Sequence, residues 1–487
     1  MNKLHDIYFP IPIWLLLWSL LKSHNYQANT LINSPQNLNK FSTVEKRAVF
    51  SIASLYGFRM LGLFMVLPVM SLYFDDYQQS SAFLLGLALG IYGLTQAIFQ
   101  IPLGLLSDKI GRRPVIFGGL LLFSLGSVVA AVADTAMGVI LGRALQGMGA
   151  IASTLMALIT DLTAEQNRTK AMASIGGSIG ISFGIAMVLG PVIAAEFGMS
   201  GIFWLTALLG LIGAVMIFKA IPKTLSPRKN RETQTDLQQL GILLREPSLM
   251  RLNIGIFFLH LTLMAAFVVI PSMLVQRLAI EPDQLWWVYL ALLGGGFIAM
   301  LPAMIFAEKH NAQKKIFVLA VGLMAAAMFV LGSAQGSVIT VLMLFVYFMA
   351  FNLLEASLPS WLSKVCPVGN RGTAMGVYST CQFLGTFAGG ILGGYALTNV
   401  GLDGLFWLLA VMLLFWCFLA CTMTSPKPLQ TLILQVGETK ANDFVKSISN
   451  MVGVEDILLV EGEDLAYVKV DKTIIDLKTF QPFLNRT

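Results

Sequence analysis

Four ionisable side chains interrupt long apolar runs in this chain: Arg59, Arg143, His260 and Glu355. A charge inside a segment that could cross a bilayer is costly, so it faces protein or water and marks a functional site by default. Histidine titrates near neutrality, and a desolvated glutamate is raised toward the same range. His260 and Glu355 are therefore the pair suited to taking up and releasing protons. Each lies nine residues from a flanking base, Arg251 and Lys364, so the two share a depth. Arg59 stands eleven residues into its run, which is roughly 16 Å at the helical rise. Arg143 lies about six residues from a helix end, where snorkelling competes with burial. Bland alternatives exist: a hydrogen-bonded core histidine at 260, and at 355 a structural partner for Arg59 or a buried protonated acid.

A second chemistry is electrostatic. Gly104-Leu-Leu-Ser-Asp108-Lys-Ile-Gly111-Arg112-Arg113-Pro-Val packs charge, glycine and proline between two apolar runs. Such a block fits a tight connection between two membrane helices. Positive charge alone would serve topology, but Asp108 and the glycines are not needed for that.

The elements that must position these residues are membrane helices. The chain has 487 residues, 56% hydrophobic and 12% charged, against about 25% charged in soluble domains. Twelve runs between Val49 and Met423 each suffice for the ~20 residues that a spanning helix needs. Net charge is +6, but the bases sit in alternate connections rather than in a nucleic-acid patch. One set holds Lys46, Arg47, Lys109, Arg112, Arg113, Lys223, Arg228 and Lys315; the other holds only Arg277. The asymmetry places the first set, and both termini, in the cytoplasm. Asn167-Arg168-x-x-Ala171-Met172 recurs as Asn370-Arg371-x-x-Ala374-Met375. Gly201-Ile-Phe-Trp204-Leu recurs at the same offset as Gly404-Leu-Phe-Trp407-Leu. Two matches at one offset argue for two homologous six-helix halves.

The 104–113 block resembles the signature loop of the major facilitator superfamily, G-x-L-x-D-x-x-G-R-[R/K], which joins the second and third helices. The resemblance implies an all-α membrane protein of twelve helices in two halves around a midplane site. It also implies a conformational latch of Gly104, Asp108, Gly111, Arg112 and Asp161. In the latch, Arg112 pairs with Asp161 at the inner end of the fourth helix, and Asp108 faces the start of the eleventh near Gly372. Leu141-Gly-Arg143-Ala-Leu-Gln-Gly147 resembles the fourth-helix motif. Gly190-Pro191 in the fifth helix resembles the antiporter motif G-x-x-x-G-P-x-x-G-G, although Ala186, Ala194 and Ala195 replace glycines.

Residues 425–487 are polar and alternately patterned. Leu429–Val436, Asp456–Val460 and Leu465–Val470 read as strands, Lys440–Met451 and Ile474–Leu484 as helices, with Glu461–Asp464 as a turn. This βαββα order is similar to a small α+β ferredoxin-like domain. With the transporter body, it resembles the YajR-type transporters, bacterial inner-membrane proteins grouped with drug–proton antiporters. The segment has no cysteine, so the Cys-x-x-Cys metal route of such domains is excluded.

The expected organisation is a disordered or interfacial extension (1–46), an N-terminal half (47–219), a cytoplasmic linker (220–249), a C-terminal half (250–423) and the soluble domain (425–487). Phe9–Leu21 is too short to span. The four cysteines form no disulfide or zinc spacing, and no phosphate-binding Gly-x-x-x-x-Gly-Lys-Ser/Thr occurs. We expect no cofactor and no enzymatic activity. The expected partners are a small-molecule substrate, hydrophobic or drug-like, together with protons and lipid. The expected state is a monomer, with the C-terminal domain offering a route to dimers. Proton-coupled efflux is the leading reading; metabolite uptake and a transporter-like sensor are the alternatives.

Overall fold

The structure is a computed structural model describing residues 41–163, 165–221, 241, 243–334, 336–367, 371–425, 429–436, 444–445, 448–459, 465–471 and 474. Most of the N-terminal extension, the 222–240 part of the linker, the 461–464 turn and the expected last helix beyond Ile474 lie outside the described residues.

Helix α1 (Thr43–Phe64) starts at a reciprocal cap. The Ser42 hydroxyl accepts from the Glu45 amide, and the Glu45 carboxylate accepts from the Ser42 amide. After a short α2 (Met70–Tyr73), α3 (Ala82–Ile110) starts at the capping hydroxyl of Ser81. It runs straight through the charged block to Gly111, whose φ of 96° ends it. Helix α4 (Arg112–Ala131) begins at the next residue. The expected loop is therefore a single residue in a conformation that glycine adopts without a side-chain penalty. Asp108, in the last turn of α3, and Arg112, the first residue of α4, consequently stand on either side of this turn.

The fourth span is two helices, α5 (Ala136–Met148) and α6 (Ala152–Asp161), broken at residues 149–151. Helix α7 (Glu165–Lys219) is 55 residues long and is interrupted at Gly198, φ 64° and ψ −170°. In the second half come α8 (Pro247–Phe267), α9 (Ile270–Leu278) and α10 (Leu285–Tyr289). A π-helical turn (Leu290–Gly294) leads to α11 (Gly295–Lys309). Then follow α12 (Gln313–Ser333), α13 (Ser337–Val365) and α14 (Arg371–Cys421), interrupted at Gly401, φ 71° and ψ −173°.

Nine stretches among the described residues are long and apolar enough to cross a membrane. Two are 50 residues long, ~75 Å as unbroken helix against a ~30 Å hydrocarbon core. Gly198 and Gly401 divide these two, at the spacing of the sequence repeat. With α1, whose four charges lower its hydropathy, the count is twelve spans.

The packing repeats as the sequence does. Helix α1 lies on α7 as α8 lies on α14. The halves meet along two lines, α3 against α14 and α7 against α10, and the first is the more extensive seam. Gly86 and Gly90 face Gly390 and Phe387 there, and Gly93 faces Phe383. A Cβ on Gly90 would come 2.9 Å from the Phe387 carbonyl oxygen, so small residues set this approach, as is usual between membrane helices. The seam is closed toward the Ser81 and Gly401 ends. Toward the Arg112 end, Gly376 on α14 and Gly176, Gly177, Gly180 and Gly184 on α7 have open space where a Cβ would stand.

Strands β1 (Leu429–Gln435), β2 (Val454–Leu459) and β3 (Leu465–Asp471) form an antiparallel sheet in the order β1-β3-β2. Ala466, Val468 and Val470 on one face pack with Phe444 and Ile448. The period of two puts Lys469 and Asp471 on the other face, where both are nevertheless buried.

Candidate functional site

The first half holds two buried cations. Arg59 on α1 is 1% exposed and Arg143 on α5 is fully buried, so Arg143 does not snorkel. The Arg59 Nη2 donates to the Tyr92 hydroxyl at 2.8 Å, to Gln96 Oε1 at 2.6 Å and to the Gly149 carbonyl at 3.3 Å. Arg143 donates from Nε to the Ala88 carbonyl at 3.3 Å and from Nη1 to Gln146 Oε1 at 2.9 Å. Gln146 in turn donates to Ser127 Oγ at 2.8 Å. Both guanidiniums lie against Tyr92, 5.9 Å and 5.3 Å from its ring centre. Such contacts offset part of the desolvation of a buried cation. Arg59 and Arg143 thus belong to one polar core around Tyr92, and the hydrogen-bond partners of Arg59 lie within its own half.

The second half holds the titratable pair. His260 on α8 and Glu355 on α13 bring Nε2 and Oε2 to 3.8 Å. Gln382 on α14 joins them: its Nε2 is 2.8 Å from His260 Nε2 and donates to Glu355 Oε1 at 3.5 Å. The Glu355 side chain is 38% exposed and that of His260 13%.

At the open end of the seam, Arg112 is the hub of the charged group. It forms an ion pair with Asp108, across the Gly111 turn in the last turn of α3, and its Nε reaches Asp161 Oδ2 at 3.3 Å. Its Nη1 donates to Ser107 Oγ at 2.6 Å. Gly104 lets α3 approach α6: a Cβ there would lie 3.2 Å from Ser153 Oγ. All these residues belong to the first half. The ion-pair partner of Asp108 among the described residues is Arg112, not the start of α14.

In α7, Gly190 is required by packing, since a Cβ would sit 2.6 Å from the Met65 carbonyl oxygen and 2.8 Å from Pro68 Cγ. Pro191 follows it inside a continuous helix. Gly184, in the same motif, faces open space. One α7 face therefore holds α1 while another is left open.

Among the described residues, the C-terminal sheet meets the membrane body at Lys469. Lys469 Nζ donates to the Cys366 carbonyl at 2.8 Å, at the C-terminal end of α13. A cation at a helix C-terminus is favoured by the macrodipole. Among the described residues no three His, Cys, Asp or Glu side chains come together as metal ligands.

Tyr92, Gln96, Gln382 and Phe383 are central to the geometry, yet none stands out in the sequence. Uncharged polar and aromatic residues are common in membrane helices. The available signal was their helical spacing: Tyr92 and Gln96 are four apart on one face.

Comparison with known proteins agrees with this architecture. The Major Facilitator Superfamily model matches residues 52–385 and 252–450. The chain is 44% identical over 438 residues to the inner membrane transport protein YajR of Escherichia coli (strain K12), covering 89% of this chain and 96% of that one. It is 26% identical to the multidrug resistance protein MdtH of Aeromonas salmonicida (strain A449), covering 72% of this chain and 87% of the relative. A bacterial homologue of the human lysosomal transporter Spinster, solved in an inward-facing and occupied conformation, shares the fold. Its TM-score is 0.63 at 13% identity, over 78% of this chain and 96% of that one. The repeated halves, the Gly111–Arg112 turn, the family match and the extent of identity to YajR agree: the chain belongs to the major facilitator superfamily, as a YajR-type transporter with a small C-terminal α+β domain.

Proposed function

We propose that this transporter exports a small molecule in exchange for protons, by alternating access about the α3–α14 seam. The observation that carries the reading is the His260–Gln382–Glu355 cluster. It sets a titratable pair within the spans, with the Glu355 side chain 38% exposed. A transporter without ion coupling has no need of a costly intramembrane acid. The name of MdtH as a multidrug resistance protein supports efflux. The abundance of bases at the open end supports a cytoplasmic opening and cytoplasmic termini in a bacterial inner membrane. Arg112 would latch the halves by holding Asp108 and Asp161 ready to meet the start of α14 when the seam closes at that end. The Tyr92 core, with Arg59 and Arg143, would fix the first half as a rigid body, and the Gly190–Pro191 face would let α7 pivot on α1.

The test is flux in proteoliposomes across a substrate panel, with and without an imposed pH gradient. Substrate movement opposite to the proton gradient supports antiport. Flux indifferent to the gradient for every transported compound sinks it.

A further inference from the structure

Gln382 and Phe383 are neighbours on α14 whose side chains serve opposite halves. Consecutive helical residues point ~100° apart. Gln382 turns into its own half and bridges His260 and Glu355. Phe383 crosses the seam and packs against the hydrophobic core of the first half. Its ring lies 6.3 Å from that of Tyr92. Its backbone is pressed just as closely: a Cβ on Gly93 would be 2.5 Å from the Phe383 carbonyl oxygen. The titratable cluster and a close backbone approach of the seam are thus one residue apart.

The hydrogen-bond inventory makes Gln382 sensitive to one proton. Its amide nitrogen offers two N–H donors, and its oxygen only accepts. Here the nitrogen serves both His260 Nε2 and Glu355 Oε1. With the amide nitrogen turned toward His260, the imidazole is neutral, accepts at Nε2 and carries its proton on Nδ1, which is buried without a hydrogen-bond partner among the described residues. A proton added from water to Nε2 turns the acceptor into a donor, and two donors cannot bond. The new N–H must then swing to Glu355 Oε2, which has no hydrogen bond of its own. Otherwise the amide must turn its oxygen to His260 and give up Glu355. Either way the double bridge is lost.

We propose that Gln382 is a positioning residue that reads the protonation of the His260–Glu355 pair and passes it, through Phe383, to the α3–α14 seam. This rests on the proton-coupled reading above. Other titratable groups face the pair from its surroundings. Tyr378 on α14 is close enough to Glu355 to feel its charge. Cys381 precedes Gln382, and Tyr92 stands across the seam, while Tyr347 and Lys364 flank Glu355 along α13. On α8 the nearest base is Arg251, and Arg277 lies at the far end of α9. Among the described residues, the Gln382 amide bonds to His260 and Glu355.

The experiment is hydrogen–deuterium exchange of the full chain in phospholipid nanodiscs, without substrate. It compares about pH 6 with about pH 8, either side of the ordinary imidazole range, after correction for intrinsic exchange. In the wild type, peptides 82–96 and 383–398 should change protection about threefold or more between the two conditions, as a local opening equilibrium would. Gln382→Met keeps the volume and removes both hydrogen bonds, and should abolish the difference. Should that variant not fold, Phe383→Leu should shrink the difference by cutting the ring contact with Tyr92. An unchanged pH difference in the folded variant overturns the relay. So does a pH-independent wild type that still shows proton-driven flux, which leaves the antiport reading standing. Absence of both the pH difference and proton-driven flux removes the two together.

Discussion

Arg59 Nη2 donates to the Gly149 carbonyl at 3.3 Å, so a guanidinium from the first span closes the end of the broken helix in the fourth. The break frees backbone carbonyls in a place without water, and each unpaired group there is costly. Arg59→Met should leave Gly149, Gln96 and Tyr92 without that donor and lower stability by about 1–3 kcal/mol. Thermal unfolding of the purified protein in detergent checks this. A melting temperature equal to the wild type would mean that the cap is dispensable.

The charged group at the open end should separate by burial. Asp108 is 27% exposed at the side chain and Asp161 3%. Asp108→Asn removes a partly solvated pair worth at most about 1 kcal/mol, so folding should survive while transport falls sharply. Arg112→Ala takes a cation away from a buried carboxylate and should destabilise more than Asp108→Asn. Flux and melting measured together on both variants decide it; normal flux in Asp108→Asn would remove the latch.

Glu355→Gln should stop transport driven by a pH gradient while leaving substrate exchange measurable. His260→Ala should weaken the pH dependence without removing the carboxylate. The comparison is proton-driven flux against exchange in the same proteoliposomes. If both persist unchanged in Glu355→Gln, another group carries the proton.

Gly86 lies against Gly390 so closely that a Cβ would overlap the carbonyl oxygen. Gly86→Val should force the closed end of the seam apart and favour the opposite conformation. Labelling of a cysteine placed at Ala82 by a membrane-impermeant reagent should accelerate. An unaltered rate would mean that the seam yields elsewhere.

Lys469→Met should release the C-terminal sheet from α13 by removing the donor to the Cys366 carbonyl. Limited proteolysis of the 425–487 segment should quicken, and the transport rate should shift while substrate binding persists. A truncation after Pro428 that inserts properly yet loses substrate binding altogether would place the domain inside the transport machinery instead.

Much of this protein is legible in its sequence because a bilayer leaves few choices. Apolar runs of spanning length must be helices. The repeat declares two halves, which recur in space at Gly198 and Gly401. Depth counted along each run brought His260 and Glu355 to the same level, and the structure holds them 3.8 Å apart. Local pattern also found the three strands within a few residues, since period-two alternation is a short-range property.

Rotation about each helix axis was not legible. Depth says nothing of whether Arg59 turns toward Glu355 or toward Tyr92, because that depends on how twelve cylinders pack. Nor could sequence show that the charged block after Gly104 is helical up to Gly111 and held within one half. A single left-handed glycine is enough to reverse the chain, so no loop is needed. Composition, span count, duplication and the identity of the ionisable residues were therefore determined by the sequence alone. Which of those residues meet, that Gln382 joins them, and which end of the seam is open were decided by tertiary packing, where side chains distant in the chain compete for the same few buried contacts.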